Sequence, residues 1–275
     1  MKPAPFDYLR PDSLSDVHAV LAREGGDARI LAGGQSLVPM LSMRLTRPKL
    51  VIDIMRLSSL ADIRIDRSDI RIGCGVRQAQ LMAWPDLQRH QPLLAAALPW
   101  VGHAQTRSRG TVCGSIAQAD PSAELPLVLV GLGGSVELSS KRNRRALAAS
   151  EFFTGAMSTA RADDELIEAV RFPIRKGGAG TAFREFGRRH GDFAIVACAA
   201  IAEEKGTRLA IGGVADRPSV REFGALEGSG LDEALDVFAW DLEARDDLHG
   251  TARYRRDLVR HIGRETIEEA RRCRA

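Results

Sequence analysis

Ile30-Leu31-Ala32-Gly33-Gly34-Gln35-Ser36-Leu37 runs from an apolar strand into two adjacent glycines, two small polar residues and a second apolar segment. Two missing Cβ atoms let the backbone turn with φ > 0 and let another molecule approach within hydrogen-bonding distance. Successive N–H groups in such a turn make an anion-binding nest, and Gln35 and Ser36 add donors. A single Gly-Gly turn is weak grounds for a binding site. The chain carries a second loop of the same chemistry, Arg109-Gly110-Thr111-Val112-Cys113-Gly114-Ser115. Two such loops suit a diphosphate with a long group attached at each end.

The bulk properties exclude several classes. The chain has 275 residues, 44% hydrophobic and 27% charged, with a formal charge of +3 from 39 basic and 36 acidic residues. It is long enough for one large or two smaller globular domains. The small net charge gives no argument for nucleic acid or a membrane surface. Cys74, Cys113, Cys198 and Cys273 are scattered without Cys-x-x-Cys spacing. Neither a zinc site nor an iron–sulfur cluster is therefore encoded here, and no disulfide framework. Met1 to Arg10 has no apolar signal core, and no apolar run is long enough to insert in a bilayer, so the chain reads as cytoplasmic.

Around the first loop, Ser13 to Glu24 reads as a capped helix, Arg29 to Ala32 as a strand, Val38 to Leu45 as a helix and Leu50 to Ile54 as a strand. Ile63-Arg64-Ile65 and Ile70-Arg71-Ile72 alternate about a polar turn, a hairpin pattern. Gln78–Trp84, Pro92–Trp100 and Ala123–Leu132 read as helices, Val136–Leu138 and Leu166–Phe172 as strands, and the basic run 141–145 as a solvated turn. Lys176-Gly177-Gly178-Ala179-Gly180 reads as a linker. Beyond it, Thr181–Phe186, Ala194–Ala202 and Arg208–Gly212 predict a three-stranded sheet, backed by helices over Asp232–Trp240 and Tyr254–Arg272. In the last helix the apolar stripe is expected to face the sheet, leaving the arginines solvated or against a partner.

The nucleotide fingerprints Gly-x-Gly-x-x-Gly and Gly-x-x-x-x-Gly-Lys-Ser/Thr are both absent, so another fold must hold the diphosphate. Leu31-Ala32-Gly33-Gly34-Gln35-Ser36-Leu37, together with Arg107-x-Arg109-Gly110-Thr111-x-x-Gly114-Ser115-x-Ala117-x-Ala119-Asp120-Pro121-x-Ala123-Glu124-Leu125-Pro126, resembles the FAD-binding medium subunit of the molybdenum hydroxylases. That group includes the flavoprotein subunits of aerobic carbon monoxide dehydrogenase and of xanthine dehydrogenase-type enzymes. Further matching segments run from Lys2-Pro3-x-x-Phe6-x-Tyr8 through Phe152-Phe153-x-Gly155, Glu165-Leu166-Ile167 and Arg188-Arg189-x-Gly191-Asp192-Phe193-Ala194 to Asp247-Leu248-His249-Gly250-x-Ala252-x-Tyr254-Arg255-Arg256.

The resemblance implies an α+β fold with a vanillyl-alcohol-oxidase-type (PCMH-type) FAD-binding domain. Its two α/β subdomains would cover about 1–55 and 56–175, and a small C-terminal α+β domain 176–275. It also implies roles. Ala32 to Ser36 and Thr111 to Ser115 would wrap the FAD diphosphate, mostly through backbone N–H groups, with side-chain contacts from Gln35, Ser36, Thr111 and Ser115. Leu31, Leu37, Gly110, Val112, Cys113, Gly114, Gln118 and Asp120 complete the expected cofactor-contact set. Glu124 would accept from a ribityl or ribose hydroxyl, Val101 and Ile167 would lie against the isoalloxazine, and Arg184 would stand near the adenine end or the diphosphate. Three departures stand out. Cys113 replaces a glycine, and its thiol would either crowd the diphosphate, ionise readily beside the N–H groups, or point away as a small hydrophobe. Gln118 stands where relatives have histidine, and Phe193 where some have a tyrosine near the flavin. The pattern around His103 matches relatives that bind FAD non-covalently.

No Ser-His-Asp or His-Glu-x-x-His constellation is present, which suits a subunit whose chemistry belongs to its cofactor. The resemblance implies a large molybdenum-cofactor subunit and a small [2Fe–2S] subunit as partners, as a dimer of heterotrimers, and an external electron acceptor: quinone, NAD or oxygen. The alternatives are a stand-alone FAD-dependent reductase or oxidase of the same fold, and a binding scaffold that has lost FAD.

Overall fold

A computed structural model describes residues 2–274. The first loop is built by a parallel three-stranded sheet. Its strands are β1 (Asp7–Leu9), β2 (Ala28–Leu31) and β3 (Leu50–Asp53), in the order β1-β3-β2. Helix Leu14–Glu24 joins the first two, with Ser13 Oγ accepting from Asp16 N at 3.1 Å as the sequence predicts. Val17 and Leu21 on its inner face are buried. The glycine loop leaves the C-terminal end of β2 and enters the short helix Leu37–Ser42, so a β-loop-α-β unit positions it. In parallel sheets that end of the strands is where ligands are held.

A second sheet follows, antiparallel and five-stranded. It contains β4 (Ile63–Asp66), β5 (Asp69–Gly73), β6 (Ser135–Ser139), β7 (Arg144–Ala148) and, after the two-stranded ribbon β8 (Phe153–Gly155) and β9 (Ser158–Thr159), β10 (Leu166–Pro173). The order is β4-β5-β10-β6-β7. Alternation puts Ile70, Ile72, Val136, Leu138, Val170 and Phe172 in the core. The other face carries a charge network in which Arg71 and Arg171 both bond Glu137, and Arg171 also reaches Asp66. Arg144 and Arg145, expected in a solvated turn, belong to β7 and pair with Glu168 and Glu165. Only residues ahead of them form the tip.

Beyond the linker lies a four-stranded antiparallel sheet of β11 (Gly180–Phe186), β12 (Val196–Glu203), β13 (Gly206–Gly212) and β14 (Ser219–Glu222). The fourth strand departs from the three expected. Ser-Val-Arg-Glu is a short edge strand with alternate residues exposed, so it carries no apolar run. Helices Gly228–Asp241 and Ala252–Arg272 cover one face with Leu231, Leu235, Val259 and Ile267. Several arginines of the last helix have partners within the domain, while Arg272 is exposed. Arg264 pairs with Asp232 and Glu268, Arg260 with Asp236, and Arg256 lies 4.0 Å over the Trp240 ring. Arg255 is buried, donating to the Ile195 carbonyl at 2.9 Å, the Gly213 carbonyl at 2.5 Å and Asp247.

The other face of this sheet packs on helix Glu124–Gly131, every residue of which is buried. That explains the continuous apolar run Leu125–Val130, since the helix lies between two sheets rather than on a surface. The approach is close because the facing residues are small. A Cβ at Gly131 would meet Ala210 Cβ at 3.1 Å, and one at Gly212 would meet Leu127 at 3.4 Å. The Gly213 N–H also donates to the Pro121 carbonyl at 2.8 Å across this junction. Among the described residues, no helix is long and apolar enough to cross a membrane.

Candidate functional site

The two polar-glycine loops are in direct contact. A Cβ at Gly33 would stand 2.3 Å from the Arg109 carbonyl oxygen and 2.6 Å from Gly110 Cα. No side chain fits there, so glycine is required by the closeness of the second loop. Gly34 follows in the left-handed region at φ 73° and turns the chain into helix Leu37–Ser42. The backbone N–H groups of Gly33, Gly34, Gln35 and Ser36 donate to no protein acceptor among the described residues, although the loop is half-buried to exposed. The Ser36 hydroxyl makes no capping bond, and the Gln35 amide reaches only the Gly33 carbonyl at 3.3 Å. Leu31 and Leu37 flank the loop, half-buried. A row of open N–H donors is an anion nest.

The second loop is more self-contained than the sequence suggests. Val112 N donates to Val76 O at 3.0 Å, and Gly110 N to Thr106 O at 2.7 Å. Thr111 is the N-cap of helix Val112–Gln118, and its hydroxyl accepts from Gly114 N at 3.0 Å. A Cβ at Gly114 would stand 2.6 Å from that hydroxyl, which accounts for the glycine. Ser115 N is held by Thr111 O at 3.2 Å, leaving the half-buried Ser115 side chain as the group this loop can still offer. The open backbone donors are therefore concentrated in the first loop.

Helix Gln78–Met82 supports the second loop, a role the sequence did not reveal. Gln78 N donates to Gly110 O at 2.8 Å, and Arg77 Nη1 to Ser108 O at 3.0 Å. Gln78 Oε1 is buried with no hydrogen-bond partner and would lie 3.0 Å from a Cβ at Gly110. The local signal was a capping pattern in which Gln80 Oε1 accepts from Arg77 N at 2.8 Å.

Cys113 is buried and its thiol donates to the Ile72 carbonyl at 3.6 Å, so it points into the core beneath the loop. Burial pushes its thiol well above the ordinary range, with a smaller contribution from Cys74. Of the readings for this departure, the structure matches a small hydrophobe turned away and contradicts a readily ionised thiol. Gln118 reaches the sulfurs of Met40 and Met157 at 3.8 and 3.7 Å, between the first loop's helix and the turn after β8. Asp120 accepts from Ser122 N at 2.9 Å, and burial raises its carboxyl.

Helix Ala104–Arg109 leads back from the second loop to Val101. Six residues span about 9 Å. Arg107 Nη1 holds the segment ahead of it, donating to the carbonyls of Pro99, Val101 and Gly102 at 3.2, 3.0 and 2.8 Å. Val101 is buried, and Ile167, on β10, is buried in the same core. Arg184 lies elsewhere. It projects from β11 onto the far face of the C-terminal sheet and pairs with Glu265 at 3.1 Å and Glu269 at 2.9 Å. The contacts of Arg184 are with the last helix, and the loops do not gather it.

Glu124 opens the buried helix and is 5% exposed. Burial pushes its carboxyl up to about 7; Asp120 adds to the rise, while a backbone N–H and Arg107 oppose it. Glu185, on the face of β11 turned toward that helix, is pushed up to about 8 by burial and by Glu124. Glu185 Oε2 is buried without a partner. The junction of the two sheets thus holds two carboxyls that favour their protonated forms.

With this geometry in place, comparison with known proteins decides the family. A family model described as FAD binding domain in molybdopterin dehydrogenase matches residues 4–175, and one described as CO dehydrogenase flavoprotein C-terminal domain matches residues 181–270. The chain belongs to the FAD-binding flavoprotein family of the molybdopterin dehydrogenases. It is 37% identical to the 6-hydroxypseudooxynicotine dehydrogenase complex subunit alpha of Paenarthrobacter nicotinovorans, over 98% of this chain and 96% of that one. It is 31% identical to the carbon monoxide dehydrogenase medium chain of Hydrogenophaga pseudoflava, over 98% of each. The fold superposes on a solved structure of carbon monoxide dehydrogenase from the same organism, a form lacking the Mo-pyranopterin moiety, with a TM-score of 0.95 at 30% identity and full coverage of both chains.

Family membership makes FAD the cofactor, and the residues present fit it. The Gly33 cradle and the open donors of Gly33–Ser36 are what a diphosphate would satisfy. Two predictions follow from this geometry. Gly33→Ala forces the loops apart and should weaken FAD binding at least tenfold by fluorescence titration, whereas Gly177→Ala, with open space around it, should leave it unchanged. Equal affinities would refute the cradle. The carboxyl pair predicts pH dependence. Both folded values lie above the ordinary 4.5, so the native chain holds protons that the unfolded chain has lost. Their contribution to stability is full below about 4.5, declines as pH rises above that, and is lost once pH has passed about 7 and about 8. Denaturant titrations of the FAD-free chain should show this decline between pH 5 and 8, and Glu185→Gln should flatten it.

Proposed function

We propose that FAD lies with its diphosphate on the N–H groups of Gly33 to Ser36, closed over by the second loop through Ser115. The single observation that carries this reading is the contact of Gly33 with Arg109 and Gly110, which joins two distant segments into one nest. From there the cofactor extends along helix Ala104–Arg109, so that the isoalloxazine reaches Val101 and Ile167. The helix is about 9 Å long, a span suited to the ribityl chain between diphosphate and ring. Glu124 and Asp120 would accept ribityl or ribose hydroxyls.

When bound, FAD supplies reversible one- and two-electron chemistry. The chain's own residues bind and orient it. Backbone donors neutralise the diphosphate at no side-chain entropy cost, Arg107 fixes the Val101 segment against the ring, and the buried Val101 and Ile167 keep water from that face. Among the described residues no cluster of His, Cys, Asp or Glu could hold a metal ion.

The chain works in a heteromeric complex. A large partner oxidises substrate at the molybdenum cofactor, a small partner relays electrons through [2Fe–2S] clusters, and this subunit passes them to an external acceptor. Support comes from relatives whose names make them a medium chain or a subunit of a dehydrogenase complex. Domains of 1–175 and 176–275 divide these tasks between holding FAD and shaping access to it.

Co-expression with neighbouring genes tests this. The chain should co-purify with a molybdenum-containing and a [2Fe–2S] subunit, and substrate added to that complex should bleach the flavin. The chain purified alone should bind FAD yet hydroxylate nothing. Substrate hydroxylation by the isolated chain would contradict the division of labour, and rapid NADH oxidation by a lone monomer would favour a stand-alone reductase.

A further inference from the structure

Strand β11 presents its two faces to different domains. Arg184 pairs with Glu265 and Glu269 on the last helix, so its neighbours Phe183 and Glu185 point the other way, toward the FAD-binding domain. Phe183 is buried with its ring 6.4 Å from that of Trp100, the residue before Val101. Glu185 lies one step along the same face, close enough to Glu124 for that carboxylate to disfavour a second charge. Its Oε2 is enclosed without a hydrogen-bond partner, which leaves Oε1 of this half-buried side chain to meet a ligand.

The surroundings do not favour an ionised Glu185. Glu124 and Asp120 face the junction from the FAD-binding domain, and the cation that acts on Glu124 is Arg107. Arg107 Nη1 is already engaged by the carbonyls of Pro99, Val101 and Gly102. Across the sheet, Glu185 is paired with Ala197 of β12, and helix Pro92–Ala97, which packs on β11, carries no ionisable side chain. A carboxyl so placed keeps its proton until pH reaches about 8, so at neutral pH it is a hydrogen-bond donor.

We propose that Glu185 makes FAD binding proton-dependent: its protonated carboxyl donates to a hydroxyl of the ribityl chain, and that hydroxyl donates in turn to Glu124. The inference rests on the reading of the chain as an FAD-binding subunit. A hydroxyl is the group that fits between two carboxyls, because it accepts from one and donates to the other, whereas a phosphate or ether oxygen has no proton for Glu124. The C-terminal domain thereby closes a site whose diphosphate end is built by the FAD-binding domain. Loss of the proton removes the donor and sets a second negative charge beside Glu124. FAD is therefore held most tightly below about pH 8 and more weakly above it, and binding in alkaline solution draws a proton onto Glu185.

The test is calorimetric titration of the full chain with FAD at pH 6 and pH 8.5, in phosphate and in Tris, two buffers that differ in ionisation heat. Melting at each pH checks that every chain is folded. For wild type, affinity should be about threefold to fivefold weaker at pH 8.5, and the heats there should differ between buffers by the uptake of a proton. Glu185→Gln keeps a donor that does not titrate. It should bind within about twofold of wild type at pH 6, hold that affinity at pH 8.5 and give equal heats in both buffers. Glu185→Ala should bind about fivefold to tenfold more weakly than wild type at pH 6, the loss of one hydrogen bond. A residue that only supports the sheet would give no such buffer dependence. Equal wild-type heats in the two buffers at pH 8.5, a result that needs no variant, would overturn the proposal and leave the FAD reading standing. So would a Glu185→Gln chain as weak as Glu185→Ala. FAD bound at no pH would overturn both.

Discussion

The contact on which this structure depends is a missing side chain. At Gly33 the backbone of one loop presses on the carbonyl of Arg109 and on Gly110, leaving no room for a Cβ. The contact joins a loop from a parallel three-stranded sheet to one that precedes a helix in a separate antiparallel layer. The N–H groups of Gly33 to Ser36 have no protein acceptor among the described residues. Unpaired donors in a partly buried position are costly unless something accepts from them. Under the proposed reading, the cofactor's diphosphate accepts from them and ties the two layers together.

The C-terminal domain repeats this economy of small residues. Gly131 and Gly212 let helix Glu124–Gly131 lie close to the four-stranded sheet, which buries Glu124 and Glu185 where neither is easily ionised. Arg255 does the opposite work, placing a charge where two carbonyls and a carboxylate satisfy it. It holds together segments about fifty residues apart in sequence, Ile195 on one side and Asp247 on the other. The two domains are thus shaped by separate devices, a steric one at Gly33 and an electrostatic one at Arg255.

Much of this was legible in the sequence, because the signals are local. Paired glycines, the Ser13 cap and the alternation in Ile63–Ile65 and Ile70–Ile72 each act within a few residues, and the elements formed where these place them. The family resemblance on the two loops held as well. What was hidden depends on partners far along the chain. Arg184 belongs to a strand with two faces, and its neighbours Glu265 and Glu269 lie about eighty residues away, so nothing near it shows that it turns from the loops. Arginines of the last helix also pair with Asp232, Asp236 and Trp240 on the preceding helix, which their own segment does not show. Cys113 could be placed only once Ile72 was seen beneath it. β14 has too few apolar residues to announce itself.

The claim that both loops close on one anionic linkage is tested most directly by amide hydrogen exchange with and without FAD. The account predicts that FAD slows exchange at Gly33 to Ser36 and, in the same titration and at the same FAD concentration, at Thr111 to Ser115. Protection confined to one loop, or protection of other segments with both loops unchanged, would contradict it.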